Sequence, residues 1–368
     1  MSWIELPRPY PDEILYSVIA RWVLRTGLTS DHDISMKLFG RRSHTVSIQM
    51  PSYLRILKKR LKSSFTVDYL VENTTLFRYY ATFMTPEKQA EVRNLMLDDN
   101  PRNALRSIVD HSKALYCCPQ CVVEDVSVFG ESYWHRVHQI PGVFICPKHN
   151  AVLLGSCPVC GLPFETTRPE YVITPTVCSR GHDLTQKIVW NTSATLLTVA
   201  KDSLFVLEGG MQHIGLKFLN ESYREWINQT GQYKWQHRGL NVDLDRERYI
   251  RTDYYDIVRQ EFVTRFGSAY LDTVNASLRP EDEVEGQYDS WRFIGYFPRN
   301  GWHRPHDWLY RLFFHQPRQY DIPIKHILLM EFIAGNVVNF VNGRNVLTDA
   351  ASFLQSMQEA AATQGEDS

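Results

Sequence analysis

The sequence predicts a mainly α protein, and three observations carry that expectation. Apolar residues recur at helical spacing through the N-terminal part, a central segment gathers cysteines and histidines in tight pairs, and helical spacing returns beyond it. From these follow an N-terminal helix-turn-helix domain over residues 1–110, a tandem zinc-finger, zinc-ribbon-like module over 111–190, and a C-terminal helical domain over 191–360. A flexible polar tail over 361–368 closes the chain.

The chain opens on an extended run, Leu6-Pro7-Arg8-Pro9-Tyr10-Pro11. Asp12 then reads as the N-cap of a first helix with Ile14, Leu15, Val18, Ile19, Trp22 and Val23 on its apolar face, stopped by Gly27. Ser30 or Asp31 caps a second, shorter helix carrying Ile34, Leu38 and Phe39 and ended by Gly40, which is the rhythm of a helix-turn-helix unit. Pro51 opens a third helix in which Leu54, Leu57 and Leu61 share a face, while Arg55, Lys58, Lys59 and Lys62 fall elsewhere. Lys37, Arg41, Arg42 and His44 beside the second helix are placed to reach phosphates or base edges of double-stranded DNA, and Lys58 and Lys59 suit neutralisation of its backbone. Two alternatives stay open: an ordinary helical hairpin with solvated arginines, and a Lys58-Lys59-Arg60 run that serves the negative end of its own helix. Phe77, Tyr79, Tyr80, Phe83 and the stretch after Pro86 extend the helical pattern.

The central segment holds two quartets. The first is Cys118-Pro-Gln-Cys121 with Cys146-Pro-Lys-His149, and the second is Cys157-Pro-Val-Cys160 with Cys178-Ser-Arg-Gly-His182. Each supplies three thiolates and an imidazole, a donor set that zinc takes in four-coordinate sites with no open position for water. Two structural Zn2+ ions are therefore expected, held in sequential order, with an interleaved grouping of Cys118 and Cys121 with Cys157 and Cys160 also compatible with the spacing. The insert from Val122 to Ile145 can fold outward between the two knuckles of the first quartet, and Tyr133, Trp134 and Phe144 are expected beside the metal. Cys117 is the one cysteine left over.

Beyond Thr185 the pattern is mostly helical. Asp253 to Phe266 sets Tyr254, Ile257, Val258, Phe262 and Phe266 near one face, closed by Gly267. Arg279 to Asp289 reads as an acidic loop. A strong segment from Ile322 to Phe340 has Pro323 near its start and Ile327, Leu328, Leu329, Phe332 and Ile333 in its core. His303, His306 and His315 match the spacing of no known chemistry and read as structural.

Bulk properties narrow the function. With 368 residues, 43% hydrophobic and 22% charged, the chain has an ordinary globular composition. It has no apolar run of the roughly 20 residues that span a bilayer, and no basic-then-apolar leader, so a cytoplasmic place without membrane partners is expected. The net charge of -1 conceals a basic excess up to Ser64 and an acidic lean beyond His182, which directs a polyanion to the N-terminal part. Phosphate-binding glycine loops, dinucleotide fingerprints, nucleophile elbows and metalloprotease helices are all missing from the sequence, so no enzyme activity is expected. A zinc-dependent hydrolase, the reading from another class, conflicts with two saturated sites.

The run Leu6 to Glu13, with Leu15-Tyr16-Ser17, Ala20-Arg21 and Leu38-Phe39-Gly40, resembles the opening of the TniQ/TnsD family of transposon target-site selectors. Tyr116-Cys117-Cys118-Pro119, Cys121, Glu124-Asp125, Gly130, Tyr133-Trp134, His138, Pro141-Gly142, Cys146-Pro147-Lys148-His149 and Leu153 continue that resemblance, as do Cys157-Pro158 and Cys160-Gly161. Trp308-Leu309 and Ile322 to Met330 look like the helical region of its longer members. The resemblance implies a non-catalytic adaptor in DNA transposition that selects the destination and recruits an AAA+ ATPase, and through it the transposase. Some members bind an attachment sequence directly, and others dock on an RNA-guided, Cascade-like CRISPR effector with incidental DNA contacts.

Overall fold

A computed structural model of the chain describes residues 4–42, 46–62, 65–98, 114–164, 174–211, 214–237, 254–267, 308–314 and 323–343. Helices dominate them; among the described residues the only β pairing is a set of isolated bridges. The chain divides into two compact units, Met1–Ala81 with Pro86–Gly210, and Thr82–Thr85 with Met211–Ser368.

In the first unit α1 (Leu15–Thr26) is the central element. Every residue from Leu15 to Val23 is buried, so this helix is covered on all sides rather than on one stripe. Its stop is as expected, with Gly27 in the left-handed conformation at φ 65°, which glycine adopts without a Cβ clash. Its start is not. The N-cap position is Ile14, with no side-chain cap, and Asp12 stands outside the helix at φ 57°. The Asp12 carboxylate instead accepts hydrogen bonds from the Val137 amide and from Arg136 Nε, both 3.1 Å, so a partner distant in sequence has displaced the local cap.

The next element, α2 (Asp31–Phe39), begins at Ser30, whose hydroxyl accepts from the Asp33 amide, and ends at left-handed Gly40. Pro51 does not open the third helix; α3 (Leu54–Arg60) starts three residues later, after Tyr53 in a left-handed turn at φ 63°. Leu61, expected on the apolar face, is its C-cap and bridges to Ile4. Then come α4 (Val67–Thr74), α5 (Phe77–Ala81) and α6 (Pro86–Leu97). Thr66 caps α4 by accepting from the Tyr69 amide. The three helices expected in the N-terminal part are thus present as α1, α2 and α3, with α2 packed on α3.

The Val122–Ile145 insert does not fold outward. It contains most of α7 (Pro119–Phe129) and a 3-10 turn (Val137–Gln139), and between them the chain is bound to the start of α1. Ile14 N–H donates to the Trp134 carbonyl, and Trp134 N–H donates to the Ser17 hydroxyl. Trp134 is wholly buried, with its ring 5.8 Å from that of Phe164. The helical and cysteine-rich segments consequently share one core. The unit closes with α8 (Ala194–Leu207), capped by Ser193 and packed on α5 and the 3-10 turn.

The second unit comprises α9 (Leu216–His237), α10 (Tyr255–Phe266), α11 (Trp308–Phe314), α12 (Pro323–Ala334) and α13 (Val337–Val341). Gly267 closes α10 as expected. The Ile322–Phe340 segment is two helices, because Gly335 at φ 78° breaks it and Asn336 caps the second piece by accepting from the Asn339 amide. All of α12 is buried, including Lys325, His326 and Glu331. Phe262, Phe266 and Trp226 gather around Phe332, and His326 stacks on Phe83 at 4.8 Å while its Nδ1 meets the Tyr223 hydroxyl at 3.1 Å. The acidic loop at Arg279 to Asp289, the histidines 303, 306 and 315, and the tail lie outside the described residues.

Candidate metal centres and the basic helices

The cysteine-rich segment is built from four turns. Three are minimal hairpins, each flanked by an antiparallel bridge: Ile145 with Val152, Ser156 with Pro163, and Val177 with Asp183. In the first two, the cysteine carbonyl accepts from the amide four residues on, at left-handed Asn150 and Gly161. In the third, the longer Cys178–His182 pair, it accepts from Gly181. These bridges are what forms of the zinc-ribbon-like expectation. The fourth turn differs: Cys118 is the N-cap of α7, Pro119 occupies the first helical position, and Cys121 lies in the first turn.

The turns converge into two groups, Cys118, Cys121, Cys146 and His149, and Cys157, Cys160, Cys178 and His182, whose ligand atoms all lie within 4.8 Å of one another. The sequential grouping is the one the fold brings together. In the first group Cys121 Sγ stands 3.7 Å from Cys146 Sγ, and His149 Nδ1 stands 3.6, 3.3 and 3.7 Å from the sulfurs of Cys118, Cys121 and Cys146. In the second, Cys160 and Cys178 are 4.0 Å apart and His182 Nδ1 is 3.8 and 3.4 Å from Cys157 and Cys178. A tetrahedral ion with bonds of about 2.3 Å to sulfur and 2.0 Å to nitrogen separates its ligand atoms by about 3.5–3.8 Å, so both sets fit one four-coordinate ion each. His149 turns Nε2 toward Glu124 at 3.5 Å, and Glu124 also pairs with Lys148, an arrangement that orients the ring with Nδ1 on the sulfurs.

The hydrogen bonds shared among the sulfurs, together with burial, divide each set: the thiols of Cys118, Cys146 and Cys178 are lowered, whereas those of Cys121 and Cys157 are raised. Neighbouring Cys121 and Cys146 thiols, hydrogen-bonded to Cys118, bring it down to about 4. Burial works against Cys178, but the His182 and Arg180 amides and the Cys157 and His182 side chains outweigh it and bring it to about 7. Burial pushes the Cys117 thiol well up, which leaves it an inert apolar neighbour.

Sequence reasoning missed the polar network that surrounds the first group. Glu13 and Arg21 are 0% and 1% exposed and form a two-pronged ion pair at 2.7 and 2.8 Å. Arg21 Nη1 also reaches Glu131 at 2.9 Å, Arg25 pairs with the same carboxylate, and the Tyr10 hydroxyl donates to it at 2.9 Å. The Arg21 guanidinium stacks 3.9 Å over the Tyr10 ring. Burial raises the Glu131 carboxyl, but the hydrogen bonds from Arg21 and Tyr10 outweigh it and leave it below its ordinary value. His135 Nε2 meets Asp125 at 2.9 Å; burial lowers this ring, and the hydrogen bond and charge of Asp125 with the charge of Asp12 raise it above its ordinary value. The available signal was Arg21 itself, a charge inside the apolar run from Val18 to Val23.

This network corrects the basic excess. Arg21 and Arg25 are neutralised by carboxylates, and Arg60 donates to the Met36 and Lys37 carbonyls at the end of α2, at 2.8 and 2.9 Å. Among the residues expected at DNA, Lys37 is exposed in the last turn of α2, Arg42 is exposed just beyond it, and Arg41 is half-buried over the Tyr53 ring at 4.6 Å. Lys58 and Lys59 lie in the last turn of α3, half-buried and exposed. His44 lies outside the described residues. No helix among the described residues is long and apolar enough to cross a membrane.

The sequence model of the TniQ family matches residues 6–153, which hold α1 to α7 and the first group but not the second. The transposon Tn7 transposition protein TnsD of Escherichia coli is 30% identical over 156 residues, covering 40% of this chain. This chain spans only 30% of that relative's length. The segment that unites the N-terminal helices with the first cysteine and histidine group is thus similar to the TniQ/TnsD family.

Proposed function

We propose that the chain is a target-site selector of a transposon, binding attachment-site DNA and recruiting an AAA+ ATPase regulator and, through it, the transposase. The observation that carries this reading is the family match over residues 6–153, joined to the exposed cations at the ends of α2 and α3. The chain acts as an adaptor in the cytoplasm, on the nucleoid when bound to DNA, and its surfaces rather than reactive groups perform the task. Two Zn2+ ions fill the Cys3His sets, zinc being the ion that tetrahedral thiolate and imidazole donors suit best. When bound, they supply no chemistry beyond fixing four side chains each.

In this reading Lys37, Arg41, Arg42, Lys58 and Lys59, on and beside α2 and α3, meet the duplex, and His44 keeps the DNA role expected from the sequence. The test is fluorescence anisotropy of the zinc-loaded chain with candidate attachment duplexes across a salt series. Direct selection predicts preference for one site by about 4–10 kcal/mol over random sequence. It also predicts a logarithmic salt slope of about -0.9 per neutralised phosphate. Replacing Lys58 and Lys59 by glutamine should flatten that slope by about two units of phosphate without changing site preference, whereas Arg42→Gln should weaken preference as well. Equal, weak binding to every duplex, together with co-purification of an RNA-guided CRISPR effector, would replace direct reading by docking on that effector.

A further inference from the structure

The 3-10 turn beside the first group carries a histidine outside the ligand set. His138 is 1% exposed, and its Nε2 lies 3.9 Å from Cys121 Sγ, within hydrogen-bond reach of a sulfur acceptor. The ring also interacts with Cys146. Its other nitrogen, Nδ1, is buried with no hydrogen-bond partner among the described residues. The turn that holds it is pinned on both sides. Val137 N–H donates to Asp12, and the Gln139 side chain forms a reciprocal pair with the Tyr116 backbone at 2.8 and 3.0 Å.

These facts fix which nitrogen carries the proton. A hydrogen on Nδ1 would be a buried donor without an acceptor, and would turn the Nε2 lone pair on thiolate lone pairs; a hydrogen on Nε2 removes both penalties. Three thiolates around a divalent ion leave one net negative charge, and the three cysteines that carry it here are buried. We infer that His138 is a positioning residue of the first metal centre, donating Nε2–H to the Cys121 and Cys146 thiolates to orient them and disperse their charge. The inference rests on the first Cys3His set holding a metal ion. Partners of this kind around metal ligands alter affinity by about 10–100-fold when removed. The flanks of the second group, Val159, Gly161, Arg180 and Gly181, are exposed.

Cadmium-113 NMR of the full chain loaded with two equivalents of cadmium tests this, since each Cys3His set gives its own resonance. His138→Leu should shift one resonance and leave the other, and should speed chelator-driven metal loss from that centre by about 10–100-fold. His138→Gln, whose side-chain amide can set a donor near the Nε2 position, should restore both readouts to near the parent values. Unchanged resonances and rates in His138→Leu, or identical behaviour of the two variants, would overturn the inference. Fewer than two resonances in the parent would instead strike at the metal assignment itself. Should the leucine variant not fold, the tautomer in the parent decides: long-range proton–nitrogen correlation must show the His138 ring protonated on Nε2, and protonation on Nδ1 would overturn the inference.

Discussion

The two Cys3His groups share a donor set and differ in everything around it. The first is assembled from the start of a helix and one hairpin, within a core that α1, the 3-10 turn and the Glu13–Arg21–Glu131 network complete. The second is assembled from two minimal hairpins with exposed flanks, and the family match stops short of it. Identical donor sets therefore stand in different settings: one lies in a core shared with the N-terminal helices, and the other in a pair of hairpins with exposed flanks.

Substituting one cysteine in each centre is the strongest way to break that comparison. Metal binding to small zinc modules contributes about 10–16 kcal/mol of folding free energy. Cys121→Ser should release one metal equivalent and cost the cooperative helical melt of the first unit. Cys160→Ser should release one equivalent and leave that melt in place, as read by circular dichroism alongside metal analysis. Equal loss of helix in both variants would show that the two centres fold as one.

Next in size is the ion pair under the first centre. Arg21→Met leaves Glu13 buried without its counter-charge and should destabilise the first unit by about 3–5 kcal/mol, measured by urea titration. The double variant Arg21→Met with Glu13→Leu should recover much of this, because removing both charges lifts the desolvation penalty.

The smallest expected effect belongs to Glu131, the half-exposed rim of the same network. Its folded-state pKa lies below the ordinary 4.5, so its stabilising contribution is complete above about that pH and disappears as pH falls through the depressed folded value. Glu131→Gln should therefore be less stable than the parent near neutrality and converge with it in acid. A constant difference across pH would assign the effect to packing.

What the sequence made legible is what is settled locally. Each ligand pair is three or four residues apart, so the turns are written into the chain, and the grouping follows from which hairpins adjoin. Gly27, Gly40 and Ser30 behave as read because a left-handed stop or a hydroxyl cap needs only its own neighbours. Asp12 was misread because Arg136 and Val137, far along the chain, bind its carboxylate more fully than a helix start could. The Pro51 reading failed at left-handed Tyr53, and the long C-terminal helix failed at Gly335, a break that continuous hydrophobicity hides. Arg21 and Arg25 add to the basic excess along the chain, while the carboxylates that pair with them and the approach of His138 to Cys121 exist only in three dimensions.

The binding of the proline-rich start to Arg136 and Glu131 has a consequence for biosynthesis. Helix α1 is made among the first residues, yet Tyr10, Asp12 and Ser17 find their partners 121, 124 and 117 positions later. At about 5–20 residues per second, the ribosome takes roughly 6–24 s to deliver them. For that interval the apolar residues of the nascent helix lack the cover that the Trp134–Val137 segment gives them, so the first unit completes its core only after that segment has been made.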